Sequence, residues 1–304
     1  MTEFRGIIPP VLTPFTPSGE LDLPSLDRLV DHLVDAGVDG LFALGSSGQV
    51  AYLTDAQRGT VVRRIVARTA GRVPVVVGTA DLTAPRVIEQ GRAAVAAGAS
   101  GIVVTAPLYA INDAAEIGRH FRMIAAGVGA PVLAYDVPVR VHTKLGVGML
   151  LELARDGVIV SVKDSSGDDV AFRRLVAANA DAGRPMTLLS GHELMLDGMF
   201  LLGGDGGVPG LANVDPAGYV RLWRAAQASD WVAARAEQDR LARLFDIVFV
   251  PQGRSGDAGG IGAFKAALAL QGVIESAAMP APLDGLAASD VDAIGAILRE
   301  VGLL

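Results

Sequence analysis

The strongest constraint on the fold is a joint that recurs along the chain. Ala36-Gly37-Val38-Asp39-Gly40, Ala97-Gly98-Ala99-Ser100-Gly101 and Gly203-Gly204-Asp205-Gly206-Gly207 each follow an amphipathic stretch and lead into a short apolar one. Glycine just past a helix takes the left-handed conformation that closes it at little steric cost. Each joint therefore reads as helix end, turn and strand start. Apolar runs predict strands over 7–12, 40–44, 75–79, 102–105, 132–137, 158–163, 187–190 and 206–209. Between them lie helical stripes such as Leu26, Leu29, Val30, Leu33 and Val34, or Val61, Val62, Ile65 and Val66 behind a Thr54/Gln57 capping box. A period of about 30 residues accommodates one strand, one helix and two short loops. Eight such units over 1–229 predict an α/β TIM (β/α)8 barrel with helices outside. A doubly wound sheet competes, but the glycine fingerprint of a dinucleotide fold is missing after the first strand. Residues 230–304 read as a helical appendage packing on the barrel, with helices at 232–249, 260–271 and 289–301. The glycine-rich joining loop 251–260 should be mobile, or ordered only against another surface.

Composition narrows the class. No apolar run approaches the roughly 20 residues that span a bilayer, and the first residues show no basic-then-apolar leader. With no cysteine, disulfides and thiolate metal sites are excluded, and a cytoplasmic location is expected. A net charge of −7 without a basic cluster argues against nucleic acid as a partner. A small-molecule enzyme fits best.

In a parallel barrel the chemistry sits at the C-terminal strand ends. There the chain places Gly45-Ser46-Ser47-Gly48, Pro107-Leu108-Tyr109, Tyr135-Asp136-Val137-Pro138-Val139-Arg140, Lys163-Asp164-Ser165-Ser166-Gly167, Gly191-His192-Glu193 and Val208-Pro209-Gly210. Lys163 is one of only three lysines, and strand alternation puts it on one face with Ile159 and Ser161, with Asp164 opposite. Desolvation favours the uncharged form of an amine, and a neutral amine beside a carbonyl forms a Schiff base; a lysine reaching out from a strand end is the plainer reading. The Ser46–Ser47 loop could hold a small phosphate or carboxylate, or be an ordinary turn. Tyr135 could shuttle protons or serve as a buried phenol. Arg140 could clamp a carboxylate or pair with a surface acid. The four histidines, His32, His120, His142 and His192, are scattered, and no metal motif is present. A phosphate-gripping isomerase using Gly203–Gly207, or a non-catalytic small-acid sensor, are the readings from other classes.

Assembled in this order, the residues resemble the dihydrodipicolinate synthase / N-acetylneuraminate lyase family of pyruvate-dependent class I aldolases. The likeness runs from Gly6-Ile7-Ile8-Pro9-Pro10 to the helical tail. Gly45-Ser46-Ser47-Gly48 is similar to the family's carboxylate-holding loop, Tyr135-Asp136-Val137-Pro138 to its Tyr-Asn-[Val/Ile]-Pro segment, and Val162-Lys163-Asp164-Ser165-Ser166-Gly167 to its Schiff-base lysine segment. The resemblance implies Lys163 as the Schiff-base amine, with no other cofactor. It implies Tyr135 as proton carrier, linked through Ser47 to a Tyr109 supplied by the adjacent subunit, hence a homo-oligomer of the dimer-of-dimers type, commonly a homotetramer. Ser46 and Ser47 would hold the 2-keto acid carboxylate, Arg140 a second carboxylate, and Gly191 and Val208 would line the pocket. The function so implied is most like 4-hydroxy-tetrahydrodipicolinate synthase, with a 2-keto-3-deoxy sugar-acid aldolase or dehydratase as the alternative. Departures fall where the acceptor is read: Gln49 for glutamate, Asp136 for asparagine, Leu108 for an aromatic, Val141 for a small hydroxyl residue. Gly191-His192-Glu193 replaces Gly-Asp-Asp and puts Glu193 where sugar-acid lyases bind hydroxyls. Asp55 and Arg58 stand where lysine-inhibited synthases often carry histidines. Lysine is accordingly expected not to inhibit; a millimolar lysine titration that lowered activity would contradict this.

Overall fold

In the computed structural model, which describes residues 4–304, strands and helices alternate from the N-terminal side onward. The strands are β1 (Gly6–Ile7), β2 (Leu41–Ala43), β3 (Val75–Gly78), β4 (Gly101–Val104), β5 (Val132–Asp136), β6 (Ser161–Asp164), β7 (Thr187–Ser190) and β8 (Gly206–Gly207). Between and after them come α1 (Leu23–Asp35), α2 (Asp55–Thr69), α3 (Ala84–Ala96), α4 (Ala114–Val128), the short α5 (Pro138–Val141), α6 (Val147–Arg155), α7 (Asp169–Asp181), α8 (Leu196–Leu202) and α9 (Pro216–Gln227). The tail adds α10 (Trp231–Phe245), α11 (Gly262–Leu270) and α12 (Ala288–Glu300). All strand pairs are parallel, in the order β1-β8-β7-β6-β5-β4-β3-β2. Past β1 a parallel bridge joins Pro10 to Phe42, with Phe42 N–H donating to Pro9 O and Val11 N–H to Phe42 O, both at 2.9 Å. That contact closes the sheet into a TIM barrel.

Two differences from the expected strands have local causes. The first strand is only Gly6–Ile7 rather than 7–12, because Pro9 and Pro10 have no N–H to give a ladder. The eighth is only Gly206–Gly207. There β1 and β8 approach so closely that a Cβ on Gly206 would collide with the Gly6 carbonyl. The glycine run thus serves helix closure and close strand contact together.

The capping box of α2 forms as expected, Gln57 N–H donating to Thr54 Oγ1 and Thr54 N–H to Gln57 Oε1 at 2.9 Å. The tail is continuous with the barrel's core: Ala234, Leu241 and Leu244 of α10 and Phe264 and Leu268 of α11 share one cluster with Leu26, Leu29 and Leu33 of α1. Each fully buried leucine contributes about 2 kcal/mol of apolar burial, so α10 and α11 are firmly packed on the barrel, as expected of the helical appendage.

One buried amine in this cluster is a pH-sensitive element of stability. Lys265 on α11 is fully buried (0% exposed), with Nζ 4.5 Å from the Phe15 ring centroid and donating to Ala278 O at 3.1 Å. Burial pushes its pKa down to about 7. The unfolded chain keeps an ordinary lysine, so it binds more protons than the folded one from about pH 7 to the ordinary lysine range, and stability rises with pH through that window. Raising the pH from 7 to 9 should stabilise the fold by about 2 kcal/mol through this group. Denaturant titrations at the two pH values should show that gain shrinking in Lys265→Met, which should also be the more stable protein at pH 7.

Candidate active site

Strand register creates the centre of the site. β5 and β6 pair with Tyr135 opposite Lys163 and Asp136 opposite Asp164. Side chains alternate along a strand, so the phenol and amine share the barrel interior while the two carboxylates share the outer face. Lys163 is 6% exposed, with Nζ 4.2 Å from the Tyr135 ring centroid and 5.0 Å from that of Phe42. The Tyr135 hydroxyl interacts with the side chains of Ser165, Lys163 and Ser46. Burial pushes this phenol up, but the adjoining Lys163 charge and those three partners outweigh it and hold the phenol below its usual range.

On the outer face Lys144 bridges the two carboxylates. Its Nζ pairs with Asp136 Oδ2 and lies 3.3 Å from Asp164 Oδ2, while Leu145 N–H donates to Asp136 Oδ1 at 3.1 Å and Ser166 N–H to Asp164 Oδ1 at 2.8 Å. Burial and the Asp164 charge raise the Asp136 carboxyl against the pull of Lys144. Lys144 itself stays above its ordinary value: burial works against the ammonium, but the two carboxylates prevail. The cluster locks the register that brings Lys163 to Tyr135.

The other expected residues divide. Ser46, the first hydroxyl of the loop after β2, stands at the Tyr135 phenol. Ser47, expected as the link in the relay, has its Oγ turned toward Gly210, 3.2 Å from where a Cβ on that glycine would sit. A Cβ on Gly191 would crowd Ser165 Oγ and lie 3.3 Å from Lys163 Cε, so this glycine borders the lysine. Val208 is buried beyond β8, its N–H donating to Ser190 O at 2.8 Å.

Glu193 is placed differently from expectation. Its Oε1 accepts from Gly210 N–H and its Oε2 from Leu211 N–H, both at 2.8 Å. Burial pushes this carboxyl up, against those two donors and the Lys163 charge. The side chain ties the β7 loop to the turn after β8, so both its oxygens are engaged by backbone instead of being free for substrate hydroxyls. Tyr109 is wholly exposed in the single chain, in a left-handed conformation (φ 69°), and Ile111 beside it is 99% exposed. Within one chain it does not join Tyr135.

A cavity of about 350 Å³ opens above the centre, lined in part by Leu44, Ser46, Tyr52, Tyr135, Arg140 and Asp257. Arg140 is not free at its rim. Its Nη1 donates to Asp257 Oδ2 at 3.0 Å and its Nη2 to Oδ1, and Tyr52 Oη donates to Asp257 Oδ2 at 2.9 Å. The joining loop, expected to be mobile or ordered only against another surface, is ordered against the mouth of the cavity, where Asp257 begins a turn of π-helix ending at Ile261. Sequence reasoning missed Asp257 and Tyr52, which have no periodic or motif context, and missed Lys144, since a lysine in a loop gives no sign that two strand-end acids lie under it. Ser165 was legible only as a neighbour of Lys163. The histidines take structural positions: His32 Nε2 lies 3.1 Å from Asn213 O, His120 is buried in α4, and His192 Nδ1 lies 2.9 Å from Asp169 Oδ1. Among the described residues, no group of three or more His, Asp or Glu side chains could hold a metal ion, and no helix is long and apolar enough to cross a membrane.

A barrel with a buried strand-end lysine against a buried phenol and a serine-glycine loop fits the aldolase–lyase class. The dihydrodipicolinate synthetase family profile matches residues 3–301, and the chain belongs to this family. A 4-hydroxy-tetrahydrodipicolinate synthase of Sorangium cellulosum is 34% identical over 247 residues, 81% of each chain. YagE of Escherichia coli K12, provisionally named 2-dehydro-3-deoxy-D-gluconate aldolase, is 36% identical over 243 residues, 79% of this chain and 80% of YagE. The crystal structure of YagE in complex with pyruvate superposes with a TM-score of 0.92 over 99% of both chains at 31% identity. Dihydrodipicolinate synthase of Thermotoga maritima gives 0.91 over the full length of both at 27% identity. The chain is an enzyme of lyase type, and these relatives bracket two acceptor chemistries.

Lys144→Met leaves Asp136 and Asp164 adjacent without a cation. It should destabilise the protein by about 2 kcal/mol, below the range for a fully buried pair because the amine is partly solvated, and should lower kcat more than it raises KM. Asp136→Asn in the same background should recover most of both losses in a denaturation and kinetic double-mutant cycle.

Proposed function

We propose that the protein is a class I aldolase whose Lys163 Nζ forms a Schiff base with C2 of pyruvate or another 2-keto acid. The observation that carries this reading is the buried Lys163–Tyr135 pair, with Ser46 and Ser165 at the phenol. A phenol held below its usual range beside an amine can share a proton with it, and this supplies the neutral nucleophile. The amine adds to the keto carbon to give a carbinolamine. Tyr135 then donates its proton to the departing hydroxyl, water leaves, and a protonated imine remains. The Tyr135 phenolate so formed takes the proton from C3, or from the C4 hydroxyl as the C3–C4 bond breaks and an aldehyde leaves, while the protonated imine draws in the bond's electron pair; the resulting enamine adds to an aldehyde in the synthetic direction or is protonated at C3 after cleavage. Hydroxyls and backbone N–H groups of Gly45–Gly48 are suited to the substrate carboxylate. The lysine itself supplies the electron sink, so the reaction needs no metal or organic cofactor.

The crystallised complex of YagE with pyruvate supports the choice of substrate. Tyr109 and Ile111, fully exposed on one chain, are placed in this reading at the neighbouring subunit's site, in a dimer that pairs again as a tetramer, working in the cytoplasm. The acceptor is 4-carbon and carboxylated in one branch of the family and a hydroxyaldehyde in the other.

Borohydride reduction with pyruvate should leave an adduct on Lys163, located by peptide mass analysis and abolished in Lys163→Ala; an unmodified Lys163 would contradict the proposal. The shared site has its own check. Mixing inactive Lys163→Ala with inactive Tyr109→Phe under subunit exchange should restore roughly a quarter of wild-type activity, since half of the isologous dimers are hybrids with one intact site. No recovery despite demonstrated exchange would place Tyr109 outside the relay.

A further inference from the structure

The rim of the cavity holds a carboxylate that the chain provides itself. Arg140 presents two parallel N–H groups, the geometry that reads a carboxylate side-on, and Asp257 occupies both. Tyr52 adds a third donor to Asp257 Oδ2 at 2.9 Å. The Asp257 side chain is only 14% exposed, against 44% for Arg140, so the acid sits below the cation and faces the same cavity. Burial pushes the Asp257 carboxyl up, but the Arg140 and Tyr52 donors prevail and hold it low, so it is ionised whenever substrate is present.

An acceptor aldehyde bearing its own carboxylate meets two obstacles here. It must displace Asp257 from Arg140, leaving a largely buried anion with Tyr52 alone, or it must crowd a second anion onto one guanidinium. An acceptor bearing hydroxyls meets neither. The neutral Arg140–Asp257 pair offers carboxylate lone pairs, outlying guanidinium N–H groups and the Tyr52 hydroxyl, a set suited to vicinal hydroxyls. Glu193, the other acid near the centre, has both oxygens on backbone N–H groups, so Asp257 is the acid at this mouth with a polar partner of its own to share.

We infer that Asp257 is a specificity-determining residue that turns the acceptor subsite from carboxylate recognition to hydroxyl recognition. The second substrate is then an uncharged hydroxyaldehyde, and the reverse reaction cleaves a 2-keto-3-deoxy sugar acid. This rests on the Schiff-base reading of Lys163 and deepens it.

The test compares kcat/KM for D-glyceraldehyde and for aspartate semialdehyde, each with pyruvate, in the wild type, Asp257→Ala and the near-isosteric Asp257→Asn. Pyruvate–borohydride trapping on Lys163 is run on every variant. The wild type should favour glyceraldehyde by at least about 10-fold. Asp257→Ala should move the ratio roughly 100-fold toward the semialdehyde, with Asp257→Asn moving it part of the way. Adding Arg140→Ala should erase the gain for the semialdehyde. Trapping yields should remain at the wild-type level throughout. Full trapping with an unmoved ratio in both Asp257 variants, or a wild type that prefers the semialdehyde, would overturn the assignment of Asp257 while leaving the Schiff base standing. Failure of the wild type itself to trap pyruvate would overturn both.

Discussion

The site depends on one backbone constraint, the pairing of β5 with β6 that sets Tyr135 against Lys163 and Asp136 against Asp164. A slip of one residue would exchange the faces of every side chain on a strand. If β6 slipped, the amine would lie among the helices and Asp164 in the barrel. The hydrophobic interior alone resists that exchange, but Lys144 makes the register specific, because only this alignment brings two buried carboxylates under one ammonium. Charge on the outer face thereby positions chemistry on the inner one, through a strand that both sides share.

Proton traffic follows from the same packing. Tyr135 is buried, and desolvation alone would keep it a firmly protonated phenol; Lys163, Ser165 and Ser46 reverse that tendency. In the proposed reaction amine and phenol act as a unit, the proton moving between them as the keto carbon changes from carbonyl to carbinolamine to imine. In the same reaction the Arg140–Asp257–Tyr52 group, at the mouth of the cavity, meets the far end of the acceptor. Covalent chemistry then belongs to Lys163 and Tyr135 and acceptor choice to the mouth, both at the C-terminal end of the barrel.

Much of this was legible in the residues. Periodic stripes and glycine joints revealed the barrel, because burial and helix closure leave patterns in local sequence. Lys163, Tyr135 and Ser46 stood at strand ends, where barrel geometry directs attention. Contacts made across long separations left no local trace. Asp257 reaches Arg140 across 117 positions, and neither residue signals the other. Glu193 looked like a substrate-binding acid because its engagement by Gly210 and Leu211 depends on how two loops meet. The serine pair was identified as a loop, yet which hydroxyl faces the phenol depends on the loop's backbone path. The prolines after β1 were visible but were read with the apolar run around them rather than as its end.

A crystal structure after pyruvate soaking tests the central claim most directly. It should show continuous density from Lys163 Nζ to C2 of the three-carbon acid, with the carboxylate on the Gly45–Gly48 loop and the Tyr135 hydroxyl at the carbon that lost its oxygen. Pyruvate bound without a bond to Lys163, or joined instead to Lys144 or Lys265, would contradict the account.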